Sequence, residues 1–196
     1  MSQYHYYLFH KPFGCVTARR DDRYPVVMDY FTGLQNPNLS PVGRLDRETE
    51  GLLLVTDDGQ WNRQMTLPDA KKEKEYQFVI MGELTLEKQV QLETGVLLRG
   101  DDKPTAPCKI TVTGFSTLGE VLPMLHPDIQ RKSAHNPMDR PMTFGTITIT
   151  EGRYRQIRRM MKAVRCLVLS LKRVRVDEIT LDPALKPGEW RELFLK

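Results

Sequence analysis

The feature that most constrains the fold is an unbroken apolar run, Leu52-Leu53-Leu54-Val55, between two turn signals. Gly51 precedes the run, and Asp57-Asp58-Gly59 follows it. Four consecutive apolar residues between turns predict a buried strand, here from Leu52 to Thr56. The charged residues directly before this strand then lie at its edge, where loops often carry functional side chains.

The size and composition of the chain are those of an ordinary globular protein. Its 196 residues suffice for one substantial core, and 40% of them are hydrophobic. The sequence lacks an apolar run of membrane-spanning length and an N-terminal signal pattern. Its three cysteines have no paired spacing, which predicts reduced thiols in the cytoplasm. We therefore predict a single cytoplasmic domain over residues 1–196, with two packed halves that divide near residues 60–70.

The order of elements predicts an α+β fold with a mostly antiparallel central sheet and flanking helices. Strand candidates outnumber helix candidates, and the two kinds do not alternate as βαβ units. The predicted strands are Tyr6–His10, Leu52–Thr56, Glu75–Met81, Thr146–Thr150, Leu167–Val176 and Trp190–Leu195, with a hairpin around Gly119. The predicted helices are Val26–Phe31, Gly59–Leu67, a helix capped by Thr85, and Arg155–Val164. Residues 123–142, which contain four prolines, are predicted to form an insertion loop.

Positive charge concentrates between Glu151 and Arg175, in a chain whose net charge is only +4. On a helix, one face would be basic (Arg155, Arg158, Arg159, Lys162) and another apolar (Ile157, Met160, Met161, Val164). A solvated basic face is the simplest explanation of this pattern. Because Glu151 is the only acid in this segment, the clustered arginines repel one another, and a phosphate backbone would relieve the repulsion. We therefore favour contact with nucleic acid.

A second candidate feature is Asp46, which lies between Arg44 and Arg47 just before the buried strand. Many aspartates near turns have only a structural role. The position at a strand edge, and the arginines that favour an ionised carboxylate, indicate a chemical role. Glycosidase chemistry is not favoured, because Glu48 and Glu50 are too close in sequence to face Asp46 across a substrate. The histidines lack the spacing of metal ligands, so we predict no metal site.

Several sequence motifs follow one another along the chain. The first comprises Gly43-Arg44-Leu45-Asp46, Glu50-Gly51-Leu52-Leu53-Leu54 and Thr56-Asp57-Asp58-Gly59. The second is Lys74-Glu75-Tyr76, and the third runs from Glu151 to Met160. Lys11-Pro12, followed by Gly14, precedes them. In this order, from about Tyr6 to Trp190, the motifs together resemble those of the ribosomal RNA pseudouridine synthases of the RsuA-like family.

The resemblance implies the pseudouridine synthase fold and an isomerase that converts a uridine in RNA to pseudouridine. Asp46 would be the catalytic carboxylate; whether it attacks the ribose, attacks the base or removes a proton stays open. Tyr76 would lie against the target base, although a tyrosine packed in the core is the alternative. Arg158 would pair with Asp46, although a phosphate contact is the alternative. Arg44 would displace the uridine from its stack, and further RNA contacts would come from Lys11, Arg153, Arg155, Arg159 and Lys162.

The resemblance also bears on partners and substrate. The rearrangement has no net redox change, so no cofactor is expected, and the expected partner is RNA with the target uridine flipped out. We expect a monomer that binds no membrane. The motifs begin so close to Met1 that no N-terminal S4 RNA-binding domain is expected. This short form looks most like enzymes of 23S ribosomal RNA; action on 16S ribosomal RNA or tRNA, and a catalytically silent RNA-binding module of the same fold, are the alternatives.

Overall fold

A computed structural model describes residues 4–195 and confirms the predicted α+β class. Within these residues the strands are Tyr6–Lys11 (β1), Ser40–Val42 (β2), Glu50–Thr56 (β3), Lys74–Met81 (β4), Lys109–Thr117 (β5), Pro141–Ile149 (β6), Leu167–Val176 (β7), Ile179–Thr180 (β8) and Trp190–Glu192 (β9). The α-helices are Gly59–Thr66 (α1), Leu86–Thr94 (α2), Leu118–Val121 (α3), Pro127–Ser133 (α4) and Gln156–Ala163 (α5). Short 3-10 helices form at Val27–Leu34, Pro68–Ala70 and Leu122–Met124.

The described residues divide into two units. Unit 1 comprises Met1–Lys74 and Lys172–Lys196, and unit 2 comprises Glu75–Leu171. The chain therefore leaves unit 1 at the start of β4 and returns to it within β7. No helix among residues 4–195 has the length and apolar character of a membrane span.

The predicted buried strand is β3, the central strand of unit 1. Antiparallel β1 pairs with it along its whole length, from Tyr6 opposite Thr56 to Lys11 opposite Gly51. Two strands share its other edge: β2 pairs with its last three residues, and the end of β7 pairs in parallel with its first two. Along this edge of β3, the connection from β2 to β3 therefore leaves the sheet between the residues that pair with β2 and those that pair with β7.

Both faces of β3 are covered, which explains its continuous apolar sequence. On one face, Leu52 and Leu54 pack with Leu8, Met65 and Val176. On the other face, Leu53 and Val55 are fully buried. The paired strand β1 carries the aromatic residues Tyr7 and Phe9 two positions apart. Both rings contact Phe31, and Tyr7 also contacts Trp190.

The close pairing of β3 with β7 depends on a glycine. Gly51 has a φ of +102°, and a Cβ atom there would lie 2.1 Å from the carbonyl oxygen of Arg173. The Arg173 side chain is buried, and its Nε donates to the carbonyl oxygen of Leu52 at 2.8 Å. These contacts hold the first residues of β3 against β7.

Unit 2 contains the strand order β5-β6-β4-β7. β5 and β6 form a long antiparallel pair whose register shifts between Val112 and Gly114. Helix α2 begins at the predicted cap, because the Thr85 hydroxyl accepts from the backbone N–H of Lys88. Helix α5 buries the predicted apolar face, including Ile157, Met160 and Met161.

Two sequence predictions in unit 2 are wrong at the level of secondary structure. No hairpin forms around Gly119; β5 extends to Thr117, where the Glu120 carboxylate accepts from the Thr117 N–H and initiates α3. Residues 123–142 are not a loop, since they contain α4. Pro127 occupies the first position of that helix, where a missing N–H costs nothing, so its proline does not break it. That this segment is an insertion stays a prediction.

Gly51→Ala should lower the free energy of unfolding by more than about 2 kcal/mol, because the new Cβ collides with the Arg173 carbonyl at a strained φ. Urea denaturation of both proteins measures the difference. Gly59→Ala is the matched control in unit 1, because a Cβ at Gly59 meets no atom within 4 Å. Its stability should stay equal or rise by up to about 1 kcal/mol, since alanine favours helix. An unaltered stability of Gly51→Ala would contradict the close approach.

Candidate active site

The predicted carboxylate lies on the connection from β2 to β3, residues 43–49, which we call the Asp46 turn. Gly43 begins the turn with a φ of +71°, and Arg44 after it is exposed. The half-buried Asp46 accepts, through its backbone carbonyl, from the N–H of Thr49 at 3.0 Å. The structure thus places Arg44 and Asp46 on one short segment of unit 1.

Thr17 fixes the residue before Asp46. Its buried hydroxyl donates to the Leu45 carbonyl at 2.9 Å and accepts from the Leu45 N–H at 3.1 Å. Both backbone polar groups of Leu45 are therefore satisfied by a single side chain. Leu45 itself is buried, so its side chain anchors the same point of the turn.

Lys11 fixes the residues after Asp46. Its fully buried ammonium donates to the carbonyl oxygens of Thr49 at 2.8 Å, Pro12 at 3.0 Å and Arg47 at 3.4 Å. The Arg47 carbonyl also accepts from the N–H of Gly14 at 2.8 Å. Lys11 was predicted to contact RNA directly, and this is wrong, because a fully buried ammonium that binds three carbonyls has no surface for a phosphate.

Burial dominates the electrostatics of Lys11. It lowers the pKa of the ammonium from 10.5 to about 8, although the nearby carboxylates of Glu50 and Asp46 act in the opposite direction. The three carbonyls supply the hydrogen bonds that a buried charge requires. Lys11 is therefore a positioning residue for the Asp46 turn.

The Arg47 side chain contacts two aromatic rings and the carboxylate of Glu48. Its guanidinium lies 4.6 Å from the centre of the Tyr24 ring and 6.0 Å from that of Phe13, and it pairs with Glu48 at 3.5 Å. Cation–π contacts of this kind stabilise a partly exposed arginine. Arg47 thus connects the Asp46 turn to the loop that carries Tyr24.

In unit 2, Tyr76 lies on β4 in the same alternating row as Phe78 and Ile80, and its exposed fraction is 7%. This burial is what the core alternative predicts. The contact of Tyr76 with a target base therefore stays a prediction, and it requires the RNA to approach the edge of a core ring.

The basic residues at α5 occupy different environments. Arg155 is the N-cap of the helix, with a left-handed φ of +46°, and it lies outside the predicted helical face. Arg158 is half-buried and donates from Nη1 to the Val168 carbonyl at 3.3 Å. Lys162 is exposed. The predicted pair of Arg158 with Asp46 would join unit 2 to unit 1, and it stays a prediction.

Arg153 and Arg159 have an acidic partner that the sequence pattern did not reveal. Both guanidinium groups bind Asp101, Arg153 at 2.9 Å, and their hydrogen bonds hold the pKa of that carboxyl below its usual value. Arg153 also donates to the carbonyls of Lys103 and Pro104, and Arg159 donates to that of Arg99. The premise that these arginines lack acidic partners is therefore wrong. The sequence pattern did not reveal Asp101 because it lies about fifty residues before them.

A buried glutamine completes this network. The Gln156 amide donates to Glu151 Oε1 at 2.6 Å, and its oxygen accepts from the N–H of Arg153 at 2.9 Å. Glu151 Oε1 also accepts from the N–H of Ala106. Thr17, Asp101 and Gln156 were all missed by the sequence analysis. Thr17 and Asp101 act on residues that are distant in sequence, and Gln156 is a buried polar residue of a motif that was interpreted through its arginines.

Comparison with known proteins decides the family. A protein family described as "RNA pseudouridylate synthase" matches residues 5–163, which include the Asp46 turn, Tyr76 and α5. The chain belongs to the RNA pseudouridylate synthase family. It is accordingly a member of an enzyme family of isomerases.

Individual relatives agree with this assignment. A ribosomal small subunit pseudouridine synthase A of Pseudomonas aeruginosa is 35% identical over 96% of this chain and 70% of its own length. An RNA pseudouridine synthase of Bacillus subtilis is 35% identical over 96% of this chain and 69% of its own. A crystal structure of pseudouridylate synthase has a TM-score of 0.80 and 31% identity, covering 99% of this chain and 72% of that one.

A more distant structure shares the fold alone. The crystal structure of the archaeal box H/ACA sRNP Nop10-Cbf5 complex has a TM-score of 0.59 at 18% identity, covering 95% of this chain and 52% of that one. The pseudouridine synthase fold predicted from the motifs is thus confirmed.

Lys11→Met should remove a pH-dependent contribution to stability in this pseudouridine synthase. Between pH 8 and 10.5 the unfolded chain keeps a lysine proton that the folded chain has lost, so the free energy of unfolding rises with pH. Relative to Lys11→Met, the wild type should gain on the order of 2 kcal/mol between about pH 7 and pH 10.

Urea denaturation at both pH values measures this difference. Lys186→Met is the matched control, because Lys186 is exposed in the same unit. The free energy of unfolding of this variant should differ from that of the wild type by the same amount at both pH values. If the difference for Lys11→Met is equally constant, the ammonium of Lys11 has the pKa of a solvated lysine.

Proposed function

We propose that this protein isomerises a uridine to pseudouridine in ribosomal RNA, with Asp46 as the catalytic carboxylate. The observation that carries the role of Asp46 is the fixed turn. Hydrogen bonds from Thr17 and Lys11 hold the backbone at Leu45, Arg47 and Thr49, so Asp46 stands on a preorganised segment. Catalytic groups need such support, because small errors in position cost large factors in rate.

The reaction balances without a cofactor. The N1–C1′ glycosidic bond breaks, the uracil rotates, and C1′ bonds to C5. The hydrogen on C5 leaves as a proton, and N1 gains a proton. Asp46 can act as a nucleophile at the ribose or at the base, or as the base that accepts a proton. A half-buried carboxylate at a strand edge suits each of these roles.

The other site residues receive roles from the same proposal. Arg44, which is exposed beside Asp46, takes the place of the uridine when it leaves its stack. Tyr76 lies against the uracil, and Arg158 pairs with Asp46. Arg155 and Lys162 contact phosphates, whereas Arg153 and Arg159 hold the loop at Asp101 and do so with guanidinium groups already bound to acids.

For the substrate, we propose small-subunit ribosomal RNA. Relatives from Pseudomonas aeruginosa and Haemophilus influenzae are named ribosomal small subunit pseudouridine synthases A, at 35% and 32% identity. The sequence motifs favoured 23S ribosomal RNA, because of the short form of the chain. Large-subunit RNA is therefore the second substrate to test. The monomeric state and the cytoplasmic location stay predictions.

Asp46→Asn should lower turnover by on the order of 10³-fold or more while RNA affinity is retained, because it removes the carboxylate and preserves its shape. Release of tritium from RNA labelled at C5 of uridine measures turnover, and filter binding measures affinity. The matched control is Asp69→Asn, which makes the same change at an exposed position of unit 1 and should leave both quantities unaltered. Normal turnover of Asp46→Asn would show that Asp46 is not the catalytic group.

Mapping of pseudouridines in total RNA tests the substrate. Cells that lack the gene should lose one site in small-subunit ribosomal RNA. The wild-type gene should restore this site, and the Asp46→Asn gene should not. A site lost in large-subunit RNA would support the original prediction. A site lost only in tRNA, or no lost site at all, would contradict the proposal of ribosomal RNA, and the last result would favour the silent module.

A further inference from the structure

Tyr154 is a large aromatic side chain that the proposed chemistry does not use. It belongs to the third motif and directly precedes Arg155, the N-cap of α5. Its exposed fraction is 78%, which is far above that of Tyr76 on β4. An aromatic ring this exposed leaves most of its apolar area in water, and tyrosine rings at binding surfaces use that area for contact.

The backbone around Tyr154 is held in place. The N–H of Arg153 donates to the side chain of the buried Gln156, whose own N–H donates back to the Arg153 carbonyl at 3.1 Å. Arg159 Nη1 donates to the Tyr154 carbonyl at 3.4 Å. The left-handed conformation of Arg155 then turns the chain into α5. Tyr154 is therefore exposed at the apex of an ordered turn.

The surroundings of Tyr154 are basic. Arg153 and Arg155 flank it in sequence, Arg159 binds its carbonyl, and Lys162 is exposed on the same helix. Asp101 and Glu151 neutralise part of this charge and at the same time anchor the turn through Arg153. An aromatic ring among basic groups is the combination that binds unpaired nucleic acid, where bases stack on the ring and phosphates meet the cations.

We propose that Tyr154 is a stacking platform for an unpaired base of the RNA substrate, distinct from the target uridine. This inference rests on the proposed function. A uridine that is flipped out lies in or beside unpaired RNA, and an exposed aromatic ring can stack on another of these unpaired bases. Stacking is tolerant of sequence because every base has a π-face, so Tyr154 contributes affinity for unpaired RNA and reads no specific base.

Phe115 provides the matched control. It is another exposed aromatic residue of unit 2, with an exposed fraction of 63%, and lies on β5 between Gly114 and Ser116. No charged residue lies between Thr111 and Leu118. Phe115 thus has the exposure of Tyr154 without the basic flanking residues or the turn.

The experiment compares four variants in their binding to a fluorescent single-stranded oligouridine and to a duplex RNA of the same length. Tyr154→Ala and Tyr154→Leu should weaken binding to oligouridine by about 5- to 150-fold, the range for loss of one base–aromatic stack. Tyr154→Phe, which keeps the ring, and Phe115→Ala should bind as the wild type does. Binding to the duplex should be unaffected in all four.

The salt dependence distinguishes stacking from charge. Affinity measured over a series of salt concentrations should fall for Tyr154→Ala with the slope of the wild type, because a lost stack releases no counterions. Unchanged affinity of Tyr154→Ala, an equal loss on duplex RNA, or a shallower salt slope would each overturn the platform. Circular dichroism checks that every variant is folded.

The same proteins separate this inference from the proposed function. If the wild type isomerises ribosomal RNA and Tyr154→Ala binds oligouridine equally well, only the platform is wrong. If the wild type forms no pseudouridine in any RNA but Tyr154→Ala loses affinity for oligouridine, the proposed function fails and the platform describes a binding module.

Discussion

The proposed site depends on the hydrogen bonds that the buried ammonium of Lys11 donates to backbone carbonyls. A lysine with no exposed surface is costly unless its charge is hydrogen-bonded, and here three backbone carbonyls satisfy it. Two of them, at Arg47 and Thr49, belong to the Asp46 turn. The energy of burying a charge is thereby coupled to a single backbone conformation, since another path of the turn would leave the ammonium with the Pro12 carbonyl alone. Thr17 applies the same constraint on the other side of Asp46.

The sheet of unit 1 explains why the turn lies where it does. β1 occupies one whole edge of β3, while β2 and β7 divide the other. The chain must leave the sheet between them, and the close contact of Gly51 with Arg173 fixes the point at which β3 begins. A one-residue shift of β3 would exchange the side chains between its two packed faces, and close packing on both faces opposes this exchange. A stable core therefore determines the position of a polar turn at its edge.

The sequence predicted the parts of this structure that follow from local patterns. The apolar run predicted β3, Thr85 predicted the start of α2, and the helical spacing predicted the buried face of α5. The motifs predicted the family and brought Asp46 forward as the carboxylate. The failures have one physical origin. Neither periodicity nor composition encodes the partners of Lys11 and Asp101 or the position of Pro127 in its helix. The buried Lys11 was therefore taken for a surface base, and the arginines that bind Asp101 were taken for unpaired ones. The start of α4 at Pro127 was taken for a loop.

The central claim is that the backbone around Asp46 is fixed before RNA binds. Native-state hydrogen exchange of the Gly14, Leu45 and Thr49 amides tests it most directly, because these three N–H groups donate to Arg47, Thr17 and Asp46 respectively. In the wild type without RNA, all three should exchange slowly, as strand amides of β3 do, and Lys11→Met should accelerate them together. Exchange in the wild type as fast as that of an exposed loop would contradict the claim.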